Sequence, residues 1–139
     1  MALLYYYAAT NNLLVLGTAD KSELMLGYFT KFGDGASDLL PIAALYKTQI
    51  RQFAKFLGIS DSIISKKSSP GLWEGHVAEA EIGINYEEVD TILHCIFDKN
   101  FSIQETISLT GIDNLAVDKI YKMYKNNEHK RITPKICQI

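Results

Sequence analysis

Long apolar runs are missing from this chain. The most hydrophobic stretches, MALLYYYAA at the start and LLVLG at 13–17, fall far short of the roughly 20 residues that a bilayer-crossing helix needs. The first of them carries no basic residue and is not read as a secretory leader. Cysteine is scarce. Cys95 and Cys137 make no Cys-x-x-Cys pair and no Cys/His metal spacing, which excludes a disulfide framework and a zinc module. Cys95 falls on an apolar helix face, as a buried free thiol does, and a reduced, cytoplasmic compartment is expected. Only three prolines occur, and there is no repeat or low-complexity tract. With a net charge of −2, no general attraction to nucleic acid is expected. Between Lys67 and Lys99 there is no Lys or Arg, against seven carboxylates.

What is present suits one domain of 139 residues, long enough to bury a core. From Asp118 onward the charge reverses, with Lys119, Lys122, Lys125, Lys130, Arg131 and Lys135 against Asp118 and Glu128. A solvated helix face accounts for much of that, and a phosphate-bearing ligand is the alternative. Residues 2–10 have helical spacing, Asn11-Asn12 is a turn, and LLVLG reads as a short strand buried on both faces, the pattern of a central parallel strand. Only LLPIA at 39–43 offers a partner. The rest reads helical. Ile50, Phe53, Ala54 and Leu57 share a face closed by Gly58. Asn85 caps a helix carrying Val89, Leu93, Ile96 and Phe97, and Ser102 with Glu105 forms a capping box. A last helix spans 114–127, and 66–83 reads as a loop.

The stretch GTADKSELMLGYFTKFGDGASDLLP, 17–41, carries the chemistry. Ligands of open parallel sheets bind beyond the carboxyl ends of strands, where Thr18 falls, and a helix from about Asp20 to Gly27 points its N-terminus there. Thr18 offers a hydroxyl and an N–H to a phosphate, and Glu23 an oxygen suited to magnesium. Lys31 and Lys47 supply positive charge; Gly33 and Gly35 permit close backbone approach. The plainer alternative makes Asp20 an N-cap and the glycines a turn. DGASD lacks the ligand alternation of a calcium loop.

In combination, GT-x-x-K-SE, GY-x-TK-x-GDG and PI-x-x-LYKTQ, followed by SSPGLWEG, EAEIGINYEEVD and EHKR, resemble the ammonia-dependent NAD synthetases over residues 13–131. The resemblance implies the ATP pyrophosphatase superfamily. Its fold is an α/β, doubly wound parallel sheet of the adenine-nucleotide alpha-hydrolase type, of which this mostly helical chain is the C-terminal part, and its assembly is a homodimer. It implies ATP-driven adenylation of deamido-NAD, then amidation with ammonia to give NAD, AMP and pyrophosphate, with magnesium accompanying ATP. Matched position by position, Thr18, Lys47 and Ser69 are ATP-binding and Glu23 is the magnesium ligand. Lys31, Asp38, His129 and Lys130 hold deamido-NAD. No catalytic side chain is assigned. Trp73 either covers ligand or packs its loop.

Two departures accompany the match. Where the family reads GLW-x-GQTDE, this chain has His76, Val77 and Ala78 in place of polar or acidic side chains. The family's SGG-x-DS phosphate loop and an upstream arginine have no counterpart here. Residues 1–139 are therefore expected to be the C-terminal portion of a single synthetase domain, inactive alone. The alternatives are a non-catalytic homologue that self-associates, another ATP pyrophosphatase, or the synthetase part of a glutamine-dependent enzyme. GYFTKFGDG and EHKR, which match substrate positions, weigh against the second; the close match to the ammonia-using type weighs against the third.

Overall fold

The computed structural model describes residues 1–132 and 136–137, so Lys135 of the basic tail lies outside the described residues. The chain forms two units, Met1–Tyr46 together with the residues from Tyr121 on, and Lys47–Ile120.

In the first unit, α1 (Ala2–Asn11) ends at Asn12, whose φ of 55° places it in the left-handed region, with its N–H on the Ala8 carbonyl. An extended segment follows. Its partner is the chain near Leu39, joined by one parallel bridge, Leu16 to Leu39. Gly17 N–H donates to Leu39 O at 2.8 Å and Asp38 N–H to Val15 O at 2.9 Å. The sequence suggested a strand buried on both faces, and the outcome is half of that. Val15 is buried, whereas Leu14 and Leu16 are 75% and 61% exposed. The alternation is that of a pleated strand, and among the described residues no further strand covers the outer face. Helix α2 (Lys21–Leu26) is fastened at its start by a reciprocal capping box. Asp20 Oδ1 accepts from Glu23 N–H at 2.8 Å, and Glu23 Oε2 accepts from Asp20 N–H at 3.1 Å. Leu26 anchors it, fully buried.

The second unit is helical: α3 (Lys47–Phe56), α4 (Asp61–Ile64), α5 (Ala78–Ile82), α6 (Tyr86–Leu93), a π-helical continuation (His94–Asp98), α7 (Ile103–Thr110) and the first half of α8 (Asn114–Asn126). The rest of α8 and α9 (Glu128–Arg131) belong to the first unit. Ile82, Tyr86, Val89, Ile92, Leu93, Val117 and Ile120 form the second unit's core. The Asn85 cap and the Ser102–Glu105 box occur as the sequence indicated. Two expectations fail. The loop read over 66–83 contains α5, with Ala78 and Ile82 buried. The apolar face of α3 is not covered: no residue of that helix is buried, and Phe56 is 84% exposed.

The acidic stretch has local partners, which explains why it tolerates a lack of internal cations. Arg51 reaches Glu87 at 3.1 Å and Glu79 at 3.8 Å. Glu88 accepts from Asn85, Glu81 meets His76 and Asp98 meets His94. Asp90, though buried, accepts the Thr48 N–H at 2.8 Å. Six of the seven carboxylates are thus matched to a donor within one unit.

The α7 box gives a pH-dependent prediction. Hydrogen bonds to the Glu105 carboxylate, first from the Ser102 hydroxyl and then from the Ser102 N–H, hold its carboxyl below the usual range. A depressed carboxyl contributes stability above its unfolded value of about 4.3, and that contribution is lost as pH falls through the folded value. Ser102→Ala should raise the Glu105 midpoint toward the ordinary value and leave a smaller acid loss that is complete at higher pH. Carboxyl-carbon NMR titration of both proteins measures this directly.

Candidate functional site

Six of the eight candidate ligand residues lie in the first unit. Thr18 is exposed, immediately past the Leu16–Leu39 bridge and just ahead of the Asp20 cap. That is the strand-end, helix-start position the sequence indicated. Glu23 occupies the first turn of α2, one carboxylate oxygen engaged with Asp20 N–H. The plainer reading of Asp20 as an N-cap is therefore realised.

Asp38 stands on the other side of the bridge. Its Oδ2 accepts from Val15 N–H at 2.7 Å and its Oδ1 from the Tyr5 hydroxyl at 3.4 Å. The carboxylate thereby replaces a missing ladder partner and sets the register of the two segments. Desolvation first, then the Asp38 charge and hydrogen bond, push the Tyr5 phenol above its ordinary value. Between α2 and Asp38 the chain turns tightly, Gly35 N–H and Gly33 N–H both reaching Thr30 O. A Cβ on Gly35 would stand 2.4 Å from the Phe29 ring. That glycine serves close packing of the loop on itself.

Lys31 leaves this turn and donates from Nζ to the His129 carbonyl at 2.5 Å, linking residues 98 positions apart. Lys130 is directed to backbone as well, Nζ donating to Gly27 O at 2.6 Å and Phe29 O at 2.9 Å. The first unit thus brings Lys31, His129 and Lys130 together around the end of α2. Sequence reasoning grouped these residues by resemblance, but Asn127 and Arg131, which join the same contacts, were missed. Arg131 stood only in the basic tail and the EHKR match, and the signal joining it to Asn127 was the i, i+3, i+4 spacing of Asn127, Lys130 and Arg131.

Lys47 and Ser69 belong to the second unit. Lys47 opens α3 with Nζ 5.3 Å from the Tyr86 ring centroid, a cation–π distance. Ser69 is exposed, and its hydroxyl accepts from Gly71 N–H at 3.1 Å. Trp73 stacks on His76 with centroids 3.4 Å apart, and His76 Nε2 lies 2.7 Å from Glu81 Oε2. The unusual His76 therefore ties the turn to α5 while the Trp73 ring stays half exposed.

Among the described residues, no three His, Cys, Asp or Glu side chains gather as a metal cluster, and no helix is long and apolar enough to cross a membrane. Burial pushes the Cys95 thiol up, as expected for a buried free cysteine.

Comparison with known proteins places these features in context. The family model described as NAD synthase matches residues 1–134. The chain is 48% identical to the NH(3)-dependent NAD(+) synthetase of Staphylothermus marinus over 98% of its own length and 50% of the relative's. It is 50% identical to that of Saccharolobus solfataricus over 100% of its length and 50% of the relative's. Among solved structures, NMN synthetase from Francisella tularensis aligns with a TM-score of 0.81 at 33% identity, covering 99% of this chain and 52% of the other. The NH3-dependent NAD synthetase from Campylobacter jejuni aligns with a TM-score of 0.76 at 33% identity, covering 99% and 51%. The chain thus spans about half the length of the curated relatives it matches.

Proposed function

Because this chain belongs to the NAD synthase family, we propose that it is part of an ammonia-dependent NAD synthetase and supplies the deamido-NAD end of its site. The observation that carries this reading is near-half identity, along the whole chain, to proteins of that name. The convergence of Lys31, His129 and Lys130 in one unit supports it.

In the reaction, a nicotinate carboxylate oxygen of deamido-NAD attacks the α-phosphorus of ATP, and the bond to pyrophosphate breaks. Ammonia nitrogen then attacks the acyl carbon, AMP leaves, and the excess proton passes to solvent. Positioning and charge neutralisation supply most of the catalysis. Thr18 and Ser69 offer hydroxyls, and Lys47 a cation, to ATP; Lys31, Asp38, His129 and Lys130 bind and orient deamido-NAD. The donor set fits magnesium carried by nucleotide phosphates, with Glu23 as the ligand this chain offers, and the ion would neutralise phosphate charge there.

The chain is the C-terminal portion of one synthetase domain, and the phosphate-cradling loop comes from elsewhere in the domain. The Leu16–Leu39 bridge is a pairing within its doubly wound parallel sheet. The exposed apolar face of α3 supports a homodimer, and two free thiols support a cytoplasmic setting.

A second reading, amidation of the mononucleotide, is favoured by the Francisella tularensis NMN synthetase likeness, but at lower identity. Calorimetry on this chain with deamido-NAD and with nicotinate mononucleotide separates the two. Tighter binding of deamido-NAD, weakened by Asp38→Asn, is expected. Preference for the mononucleotide supports the second reading, and uptake of neither contradicts both.

A further inference from the structure

Three consecutive carbonyls at the C-terminal end of α2 are each held by a different side chain from residues 127–131. Arg131 Nη1 donates to Met25 O at 2.8 Å. Asn127 Nδ2 donates to Leu26 O at 2.9 Å. Lys130 Nζ takes Gly27 O at 2.6 Å. The last carbonyls of a helix have no partner within it and carry partial negative charge, so two cations and an amide there are electrostatically matched.

Arg131 does more than cap. Its Nη2 donates to Tyr124 O in the last turn of α8, and its guanidinium lies 4.0 Å from the Tyr124 ring centroid. One planar group therefore joins the ends of two helices, a fork that an ammonium cannot reproduce. A helix of six residues such as α2 does not hold its own geometry. Its direction, and the course of the chain from Gly27 to Lys31, are set by these contacts. The returning bond from Lys31 Nζ to His129 O completes a reciprocal clasp between 24–31 and 127–131.

We propose that Arg131, assisted by Asn127, is a positioning residue for the ligand-bearing segment from Glu23 to Lys31. The proposal rests on the reading of Lys31, at the end of that segment, as part of the deamido-NAD site. Arg131 acts through backbone: its guanidinium donates to the carbonyls of Leu24, Met25 and Tyr124, and its effect on ligand passes through α2.

The test compares the unchanged chain with Arg131→Gln, Arg131→Lys and Asn127→Ala, by site-resolved amide exchange and by calorimetry with deamido-NAD. Arg131→Gln should speed exchange over 24–31 and weaken deamido-NAD binding by roughly tenfold, the worth of a charged hydrogen bond. Exchange in α6 should not change. Arg131→Lys should recover part of both effects, and Asn127→Ala should give a smaller change in the same direction, readable even if Arg131→Gln does not fold. Equal affinity across the variants overturns the positioning role alone, as does an exchange increase spread evenly through α6. No uptake by the unchanged chain overturns the reading of the site and this role with it.

Discussion

Gly27→Ala should be among the most damaging single-methyl changes in the first unit. Gly27 has φ of 69°, where an L side chain costs about 1–2 kcal/mol. The added Cβ would also fall 2.2 Å from Asn127 Cβ and 2.7 Å from its Cγ. Relief requires Asn127 to withdraw from the Leu26 carbonyl it caps. Overpacking of this kind costs a further 1–3 kcal/mol, so a total of about 3 kcal/mol is expected, with a fall in melting temperature of roughly 10 °C. Thermal melting measures it. In a double-mutant cycle, Gly27→Ala with Asn127→Gly should be less damaging than the sum of the two changes, because only the backbone strain then remains. Strict additivity would mean that the contact between residues 27 and 127 does not govern the site.

Asp90→Ala should have a large effect for a polar substitution in the second unit. The buried Asp90 carboxylate accepts the Thr48 N–H, so α6 supplies the cap for the first turn of α3. Truncation strands a helix-terminal donor next to Lys47, the candidate ATP-binding cation. Loss of a cap together with a stranded partner costs roughly 2 kcal/mol, read as a lower melting temperature. The Thr48 amide should exchange faster than amides in α7. Asp90→Asn keeps an acceptor oxygen and should retain about half of the stability that alanine loses. Equal effects from both changes would show that the charge, and not the hydrogen bond, holds the turn.

Both effects depend on contacts that the sequence does not announce. Local chemistry was legible: Asn85 and the Ser102–Glu105 pair mark helix starts because their partners sit within three residues. The segment at 13–17 was legible as extended chain, and the structure gives it one parallel bridge, but its burial was not legible. Exposure of Leu14 and Leu16 depends on which chain lies beside them, and apolar composition is silent on that. Helix α5 was hidden by the Gly- and Ser-rich loop before it, although Ala78 and Ile82 have helical spacing. The candidate site residues were assigned from strand-end chemistry at Thr18, Glu23, Lys31 and Lys47, and from motif resemblance at the rest. Nothing local links Lys31 to His129 or Asp38 to Val15, because those bonds close across 98 and 23 positions. The same distance hid Asn127, Arg131 and Asp90, whose work is to hold backbone near the site.

The most direct measurement is backbone-amide NMR of this chain as deamido-NAD is added. The account predicts shifts concentrated at Lys31 through Asp38 and at His129-Lys130, with the core of α6 unmoved. Shifts confined to the second unit, or none at millimolar ligand, would contradict the assignment of the deamido-NAD site to the first unit.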